Sequence, residues 1–247
     1  MNRNFHVIIP ARYESSRLPG KLLMDIAGHT ILERVYCQAQ KANPASIVIA
    51  TDNILIADHA HELGATVVMT SPHHQSGTER IAEAVGLGEY KNSDVIVNVQ
   101  GDEPFINPAL IKQVANDLLN ADTSMSTLCW PITSSELFHN PNIVKVVRDS
   151  QKNALYFSRS PIPFNRDNEA SFSNVYRHIG LYAYRANFLL DMVSWPVCEL
   201  EACEKLEQIR VLWMGHRIHV EQACIEPLQD VNNHEDLLLA RAFALSS

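Results

Sequence analysis

The sequence has few of the features that point to a disulfide-bonded, secreted or membrane-bound protein. Its five cysteines are odd in number and are scattered along 247 residues without the spacing of a metal site. Such cysteines are typical of reduced thiols in a cytosolic chain. The apolar run that follows residues 1–4 is too short for a signal peptide or a membrane span. We therefore expect a cytoplasmic protein without membrane association.

Positive charge is also scarce. Lysine and arginine number 20 against 28 acidic residues, which gives a formal net charge of −8 at pH 7. Proteins that bind nucleic acids usually carry a basic face, so nucleic acid is excluded as the main partner. An anionic substrate would have to be attracted by a local group of cations. A chain of this length buries roughly 70–75% of its unfolded surface and needs no disulfide or metal to stabilise its core.

No internal repeat, low-complexity segment or interdomain linker divides the chain, so we expect one domain over residues 1–247. Apolar runs alternate with helix signals through residue 122, which predicts a mostly parallel α/β sheet with helices on both faces. The Ser/Thr-x-x-Glu spacings at Thr30 and Ser76 predict helix starts, and Pro108 predicts a third, extending to about Asn120. An apolar stripe predicts the longest helix over Glu199–Met214, and a final helix is predicted from about Glu235.

A local group of cations follows the first predicted strand. The apolar run of residues 7–9 ends in Pro10, and Arg12, Arg17 and Lys21 lie in the polar loop behind it. Open α/β sheets bind ligands at the carboxyl ends of their strands, so we predict an anion site in this loop rather than a solvated basic surface.

The common phosphate-binding fingerprints do not explain this loop. A P-loop needs glycine at position 15 and serine or threonine at position 22, where this chain has Ser15 and Leu22. No Gly-x-Gly-x-x-Gly motif follows the strand either.

A carboxylate follows the predicted strand over residues 94–99. The segment reads Gln100-Gly101-Asp102-Glu103-Pro104. A carboxylate directly after a central buried strand can hold a divalent cation, although an aspartate before Glu-Pro can also be a simple turn former. The sequence leaves both interpretations open at this point.

Four blocks together resemble the 3-deoxy-manno-octulosonate (Kdo) cytidylyltransferases, also called CMP-Kdo synthetases. They are IIPARYESSRLPGK (residues 8–21), QGDEP (100–104), YRHIGLYAYR (176–185) and LEQIR (206–210). The resemblance covers almost the whole chain. It implies a Rossmann-like sheet of the nucleotide-diphospho-sugar transferase type. It also implies a nucleotide-binding half over about residues 1–130, a smaller sugar-binding and dimer-forming part over about 131–225, and a C-terminal helix that returns to the core.

The resemblance implies a CTP-dependent nucleotidyltransferase. Its substrates would be CTP and the eight-carbon sugar acid Kdo, and its products CMP-Kdo, for lipopolysaccharide biosynthesis, and pyrophosphate. Mg²⁺ would be the cofactor and a homodimer the assembly. Two alternatives stay open: the same chemistry on 8-amino-Kdo or another sugar acid, and a non-catalytic paralogue that binds nucleotide sugars.

The resemblance also implies roles for individual residues. The catalytic group would be Arg12, Lys21 and Asp102, with Asp102 as a metal ligand. The nucleotide would contact Ala11, Arg12, Arg17, Lys21, Gln75 and Gln100. The sugar acid would contact Arg159, His178, Tyr182, Glu207 and Gln208. From the residues alone, His178 and Tyr182 could equally be packing residues, and Glu207 could lie on the exposed face of a helix.

One segment departs from the family pattern. The family usually carries Val-Asp-Thr-Pro-Glu-Asp-Leu before the final helix, and its first aspartate is the second metal ligand. This chain has Val231-Asn232-Asn233 there, so Asn232 takes the ligand position. We expect Asn232 to be a weak ligand, Asp230 to be its possible substitute, and Asn233 to cap the last helix.

Overall fold

The computed structural model describes residues 5–14, 18–168, 171–228 and 230–246. The strands of this part of the chain are β1 (Phe5–Ala11), β2 (Asp25–Ile26), β3 (His29–Thr30), β4 (Ser46–Thr51), β5 (Thr66–Met69), β6 (Val95–Asn98), β7 (Met125–Pro131), β8 (Lys145–Arg148), β9 (Ala154–Ser158), β10 (Tyr176–Arg185) and β11 (Ile218–Gln222). The helices are α1 (Ile31–Lys41), α2 (Ile54–Glu62), α3 (Gly77–Leu87), α4 (Pro108–Asn120), α5 (Ser135–His139), α6 (Ala186–Ser194), α7 (Glu199–Glu204), α8 (Gln208–Trp213) and α9 (His234–Ser246), and a short 3₁₀ helix covers Lys21–Leu23.

The central sheet has the order β11-β7-β10-β6-β1-β4-β5. Strand β10 runs antiparallel to both of its neighbours, β6 and β7, whereas the other adjacent pairs in this row are parallel. Strands β8 and β9 form an antiparallel pair that joins the sheet through β10. The predicted fold class, a mostly parallel α/β sheet with helices on both faces, is confirmed.

The order of the sheet reverses at β1. The chain continues from β1 to β4 on one side, and β6 lies on the other side. In open α/β sheets the crevice outside such a reversal binds ligands. The loops that follow β1 and β6 therefore border the expected binding site.

Helices cover the sheet on both faces because successive side chains of its central strands point into two different cores. In β1, Val7 and Ile9 pack into the core that contains α1, α4 and α9, whereas Ile8 packs into the core that contains α3 and α6. These three side chains are fully buried. Burial of a valine or isoleucine contributes about 1.5–3 kcal/mol, so the strand that carries the cation loop is firmly anchored.

The predicted helix starts are confirmed by their caps. The Thr30 hydroxyl accepts a hydrogen bond from the Glu33 amide at 3.0 Å, and the Ser76 hydroxyl accepts one from the Glu79 amide at 3.2 Å. Helix α4 spans Pro108–Asn120, as predicted.

The predicted long helix over Glu199–Met214 is wrong. The structure divides it into α7 and α8, with Lys205 between them in the left-handed conformation at φ 54°. The break brings Arg210 onto Glu201, with Nε–Oε2 and Nη2–Oε1 distances of 2.7 and 2.5 Å. In a straight helix these residues would be separated by about 13 Å along the axis, so their buried ion pair requires the turn.

Candidate active site

A cleft opens where the order of the sheet reverses. The loop after β1, the first turns of α3 and the loop after β6 form its walls. Its lining consists of Pro10, Arg12, Lys21, Leu22, His74, Gln75, Ser76, Gly77, Arg80, Gln100, Gly101 and Asp102. The structure therefore brings together five of the predicted residues: Arg12, Lys21, Gln75, Gln100 and Asp102. Ala11 is buried at the end of β1, directly before Arg12, and Arg17 lies outside the described residues.

Lys21 and Asp102 form an ion pair in this cleft. The Lys21 ammonium lies 2.5 Å from the Asp102 carboxylate and donates to the Val231 carbonyl oxygen at 3.0 Å. The Val231 amide in turn donates to the Asp102 carbonyl oxygen at 2.9 Å. These contacts place the segment that contains Asp230 and Asn232 beside the loop after β6.

Gly101 permits the close approach of the two loops. A Cβ atom at this position would lie 2.9 Å from the Pro10 carbonyl oxygen and 3.3 Å from the Leu22 side chain. A larger residue would push the loop after β6 away from the loop after β1. The glycine of the QGDEP block is thus explained by packing.

The beginning of α3 points into the same cleft. Gln75, Ser76 and Gly77 line it, and the Gln75 amide donates to the Glu79 carboxylate at 2.8 Å. The Gln75 side chain donates to the His73 carbonyl oxygen at 3.0 Å. Backbone amides at a helix start favour anions, so the helix adds to the positive potential of Arg12 and Lys21.

Two charged or titratable residues that the resemblance does not assign to the site also line the cleft. Arg80 is buried and donates to Asp52 at 2.8 Å and to the Thr70 hydroxyl at 2.6 Å. His74 lies 2.5 Å from the Glu83 carboxylate. Arg80 follows Ser76 by four residues and therefore lies on the same face of α3, which is the spacing that could have indicated it.

A second cleft adjoins the first one. It is lined by Gly77, Thr78, Asn98, Gln100, Met125, Tyr182, Tyr184, Met192, Glu207 and Gln208. Gly77 and Gln100 line both clefts. Three of the residues that the resemblance implies for the sugar, Tyr182, Glu207 and Gln208, lie here together. The turn at Lys205 places the last two, so Glu207 is not on the exposed face of a long helix.

Glu207 is held at the junction of the two clefts. The Thr78 hydroxyl donates to its Oε2 at 2.7 Å, and the Ser76 hydroxyl donates to its Oε1 at 3.3 Å. Burial raises the pKa of Glu207 above its ordinary value, while the hydrogen bond from Thr78 and the charge of Arg210 oppose this shift. These contacts offset part of the cost of burying the negative charge of Glu207, which lines the second cleft.

Gln208 lines the second cleft and has an unsatisfied hydrogen-bond donor. The residue is only 5% exposed, and its side-chain amide nitrogen finds no hydrogen-bond partner among the residues that the structure describes. A buried polar group without a partner costs about 1–3 kcal/mol. A ligand that supplies an acceptor oxygen would remove this cost.

Strand β10 contributes Tyr182 and Tyr184 to the lining of the second cleft, whereas His178 is not among its lining residues. A register shift between Ile179 and Tyr182 leaves His178 and Tyr182 in contact, with their ring centroids 5.3 Å apart. The Thr127 hydroxyl lies 3.1 Å from Nε2 of His178, and burial lowers the pKa of this histidine to about 3. His178 is therefore a neutral hydrogen-bonding group at physiological pH. Burial also raises the pKa of Tyr182, which stays protonated.

Arg159 takes a supporting position in this structure. Its Nε donates to the Glu204 carbonyl oxygen at 2.7 Å, and its Nη1 donates to the Pro141 carbonyl oxygen at 3.0 Å. It thereby holds the turn that carries Glu207 and Gln208. Direct contact of Arg159 with a substrate carboxylate or phosphate stays a prediction.

The side chains around Asp102 have the chemistry of a magnesium site. Burial raises the pKa of Glu103 to about 8, and the charges of Asp102 and Asp230 add to this shift. Both carboxylates therefore lie close to Glu103. The Asn232 side chain donates to Asp230 at 2.7 Å. In the described ranges no cluster of three or more histidine, cysteine or acidic side chains could hold a metal alone. Mg²⁺ often binds one or two carboxylates and completes its shell with substrate phosphates and water, so this donor set fits the ion.

The start of α9 confirms part of the prediction for this segment. The Asn233 side chain accepts a hydrogen bond from the Asp236 amide at 3.0 Å, and the Asp236 carboxylate accepts one from the Asn233 amide at 3.1 Å. Asn233 is therefore the helix cap.

Within the part of the chain that the structure describes, no helix is both long and apolar enough to cross a bilayer.

Known proteins with similar sequences are cytidylyltransferases. A family model described as cytidylyltransferase matches residues 6–218. A 3-deoxy-manno-octulosonate cytidylyltransferase of Legionella pneumophila (strain Lens) is 61% identical over 247 residues, which cover 100% of this chain and 99% of the relative. The enzyme of the same description from Vibrio vulnificus (strain YJ016) is 50% identical, with 96% of this chain and 97% of the relative covered.

Solved structures agree with these relatives. A CMP:2-keto-3-deoxy-manno-octonic acid synthetase complexed with CTP superposes with a TM-score of 0.91 at 35% identity, over 98% of this chain and 99% of the other. A 4-diphosphocytidyl-2C-methyl-D-erythritol synthase, at 13% identity and a TM-score of 0.67 over 99% of both chains, shares only the fold. The matches over nearly the full length, together with the paired clefts, show that this chain belongs to the 3-deoxy-manno-octulosonate cytidylyltransferase family.

Proposed function

We propose that this protein transfers the cytidylyl group of CTP to the anomeric hydroxyl of Kdo, giving CMP-Kdo for lipopolysaccharide biosynthesis and pyrophosphate. The observation that carries this proposal is the pair of adjoining clefts. One is lined by cations and a helix start, the other by a half-buried carboxylate, an unpartnered amide and tyrosines. The two clefts share Gly77 and Gln100 at their border, so a nucleotide in one and a sugar acid in the other would lie side by side. The names of the relatives at 61% and 50% identity support the same reaction.

The first cleft would bind CTP through its charges. Arg12, Arg17 and Lys21 would contact the triphosphate, where arginine can form paired hydrogen bonds and lysine acts as a point charge. Ala11, Gln75 and Gln100 would contact the rest of the nucleotide. Lys21 is engaged with Asp102 in this structure, so nucleotide binding would transfer its ammonium from the carboxylate to phosphate oxygens.

The second cleft would orient the sugar acid. Glu207 would accept hydrogen bonds from its hydroxyls, and the Gln208 amide would donate to one of its oxygens. Tyr182 and the neutral His178 would complete the pocket, while Arg159 would act on the substrate or through the turn that it supports. This arrangement would hold the anomeric hydroxyl against the α-phosphorus.

The reaction is a displacement at phosphorus. The bond from the anomeric oxygen to the α-phosphorus forms as the bond from that phosphorus to the oxygen of pyrophosphate breaks, and the hydroxyl loses its proton. Such transfers depend on positioning and on neutralisation of charge, which Arg12 and Lys21 would provide. Mg²⁺ held by Asp102 and by Asn232 or Asp230 would add charge neutralisation and would lower the pKa of the attacking hydroxyl.

We also propose the division of labour and the assembly that the resemblance implies. Residues up to about 130 would bind the nucleotide. The part over about 131–225 would bind sugar and form a cytoplasmic homodimer, and the C-terminal helix would return to the core. Exposed apolar side chains in this part support the dimer, with Leu155 on β9 at 60% exposure and Phe164 at 73%. Light scattering at micromolar protein concentration would measure the assembly.

A pyrophosphate-release assay tests the reaction. With CTP, Mg²⁺ and Kdo the protein should release pyrophosphate, whereas UTP in place of CTP should give little. A panel of Kdo, 8-amino-Kdo and a sialic acid then identifies the preferred sugar acid. If CTP binds by calorimetry but no sugar acid supports release at any Mg²⁺ concentration, the protein is a binding paralogue and not an enzyme.

A further inference from the structure

The start of α3 holds a side chain of the neighbouring cleft. The hydroxyls of Ser76 and Thr78 both donate to the carboxylate of Glu207, at 3.3 and 2.7 Å, across 131 and 129 positions of sequence. Ser76 is already occupied as the cap of α3, where it accepts from the Glu79 amide. Thr78 is buried at 5% exposure and makes the shorter bond to Glu207.

Glu207 depends on this contact because its own helix does not use its carboxylate. It occupies the position before α8, and its side chain makes no capping hydrogen bond there. A glutamate side chain has several rotatable bonds and loses conformational entropy when a ligand orders it. Ordering the side chain before binding therefore increases affinity without a new contact to the ligand.

We propose that Thr78 is a positioning residue for the sugar acid. Its hydroxyl fixes Glu207 in the second cleft before the sugar binds. It also connects that carboxylate to the first turn of α3, which lies beside the residues Gln75, Ser76 and Gly77 that line the nucleotide cleft. This inference rests on the proposed function, in which Glu207 binds the sugar hydroxyls.

The contact also controls the charge of Glu207. Ser76 and Thr78 face the carboxylate from α3, Arg210 and Glu201 from α8 and α7, and Tyr182 and Tyr184 from β10. Burial raises the pKa of Glu207, and the hydrogen bond from Thr78 is the largest of the effects that lower it. Loss of the Thr78 hydroxyl therefore raises this pKa further. The carboxylate is then protonated at a higher pH, so the acid limb of the pH profile of kcat/KM for Kdo moves to higher pH.

Kinetics of three variants test the positioning role. Thr78→Val removes the hydroxyl at nearly constant volume and should raise the KM for Kdo about tenfold. The KM for CTP should stay within about twofold, and the acid limb of kcat/KM for Kdo should move to higher pH. Thr78→Ser keeps the hydroxyl and should restore both quantities toward the wild-type values.

Thr30→Val is the matched control. It makes the same exchange at the cap of α1, where the Thr30 hydroxyl accepts a hydrogen bond from the Glu33 amide. Thr30 lines neither of the two clefts. It should lower the melting temperature but leave the KM values and the pH profile unchanged. A wild-type KM for Kdo and an unmoved acid limb in Thr78→Val would overturn the inference, as would equal increases in both KM values. The same changes in Thr30→Val would show that general destabilisation causes them.

A measurement without turnover separates this inference from the proposed function. Absence of pyrophosphate release from the wild-type protein would refute the proposed function alone. The carboxyl pKa of Glu207 is then measured by ¹³C NMR in wild type and Thr78→Val. A higher pKa in the variant supports the contact, and an unchanged pKa refutes it.

Discussion

Replacing Lys21 by methionine should have two opposite effects. In the free protein the Lys21 ammonium pairs with the Asp102 carboxylate at 2.5 Å, and the two side chains are only 13% and 23% exposed. A divalent cation that binds Asp102 without nucleotide must first displace this ammonium. Lys21→Met removes the competitor, so metal binding to the nucleotide-free protein should become tighter. The KM for CTP should nevertheless rise, because a contact to the triphosphate is lost.

The size of the first effect follows from the ion pair. Hydrogen bonds between charged groups contribute about 1.5–3 kcal/mol net, which corresponds to roughly a 10- to 150-fold change in a binding constant. Mn²⁺ is a suitable probe because its free concentration is read directly by electron paramagnetic resonance. Titration of nucleotide-free wild type and Lys21→Met at fixed ionic strength gives the ratio of their dissociation constants.

Two controls separate the ion pair from the general loss of positive charge. Arg12→Met removes a cation that lines the same cleft. It should tighten Mn²⁺ binding by only about twofold, since an exposed charge is screened by solvent. Lys21→Arg keeps a cation beside Asp102 and should give no gain, and Asp102→Asn should abolish the gain in the Lys21→Met background. If Lys21→Met binds Mn²⁺ no more tightly than Arg12→Met, the ion pair does not compete with the metal and the reasoning is wrong.

Three further predictions concern single side chains. Gln208→Leu removes the unpartnered buried amide, so the melting temperature of the free protein should stay equal or rise while the KM for Kdo rises about tenfold, and the reverse pattern would assign Gln208 to the fold. Burial lowers the pKa of His178 to about 3 in the folded state, below its value of about 6.5 when unfolded, so folding stability should fall as pH drops below about 6.5. Chemical denaturation at pH 5 and 7.5 should show about 1–2 kcal/mol less of this loss in His178→Gln, and an equal loss would exclude His178 as its source. Asn232→Asp should lower the Mg²⁺ concentration for half-maximal rate; if it does not, and Asp230→Ala is inactive, Asp230 is the second ligand.

Local signals predicted the parts of the fold that depend on neighbouring residues. The caps at Thr30 and Ser76 and the proline at the start of α4 act within one helical turn, so the sequence contains all that determines them. The cation loop and Asp102 were also predictable, because both follow strands whose apolar runs are clear. Parallel strands then bring these two loops to one edge of the sheet.

Long-range contacts decided what the sequence did not reveal. The apolar stripe from Leu200 to Trp213 continues through Lys205 without interruption, and only the buried pair of Glu201 and Arg210 shows why the helix must turn there. The spacing from Ser76 indicates the face of α3 on which Arg80 lies, but its ion pair with Asp52 is a long-range contact that the sequence does not show. Hydrophobic periodicity reports which face of an element is buried, not which distant charge it meets.

The segment before α9 is a case in which the structure changes what a substitution means. Asn232 donates to Asp230 at 2.7 Å, so the two candidate ligands are a hydrogen-bonded pair rather than independent groups. A carboxylate at position 232 would replace this donor by a second negative charge beside Asp230. Burial already raises the pKa of Glu103 to about 8, and the charges of Asp102 and Asp230 add to this shift. Like charges at such distances disfavour ionisation, so Asn232→Asp should destabilise the metal-free protein even as it binds Mg²⁺ more tightly. Thermal unfolding in EDTA and in excess Mg²⁺ checks this: the variant should melt below wild type in EDTA and lose that deficit with Mg²⁺. An equal deficit in both conditions would place position 232 away from the metal.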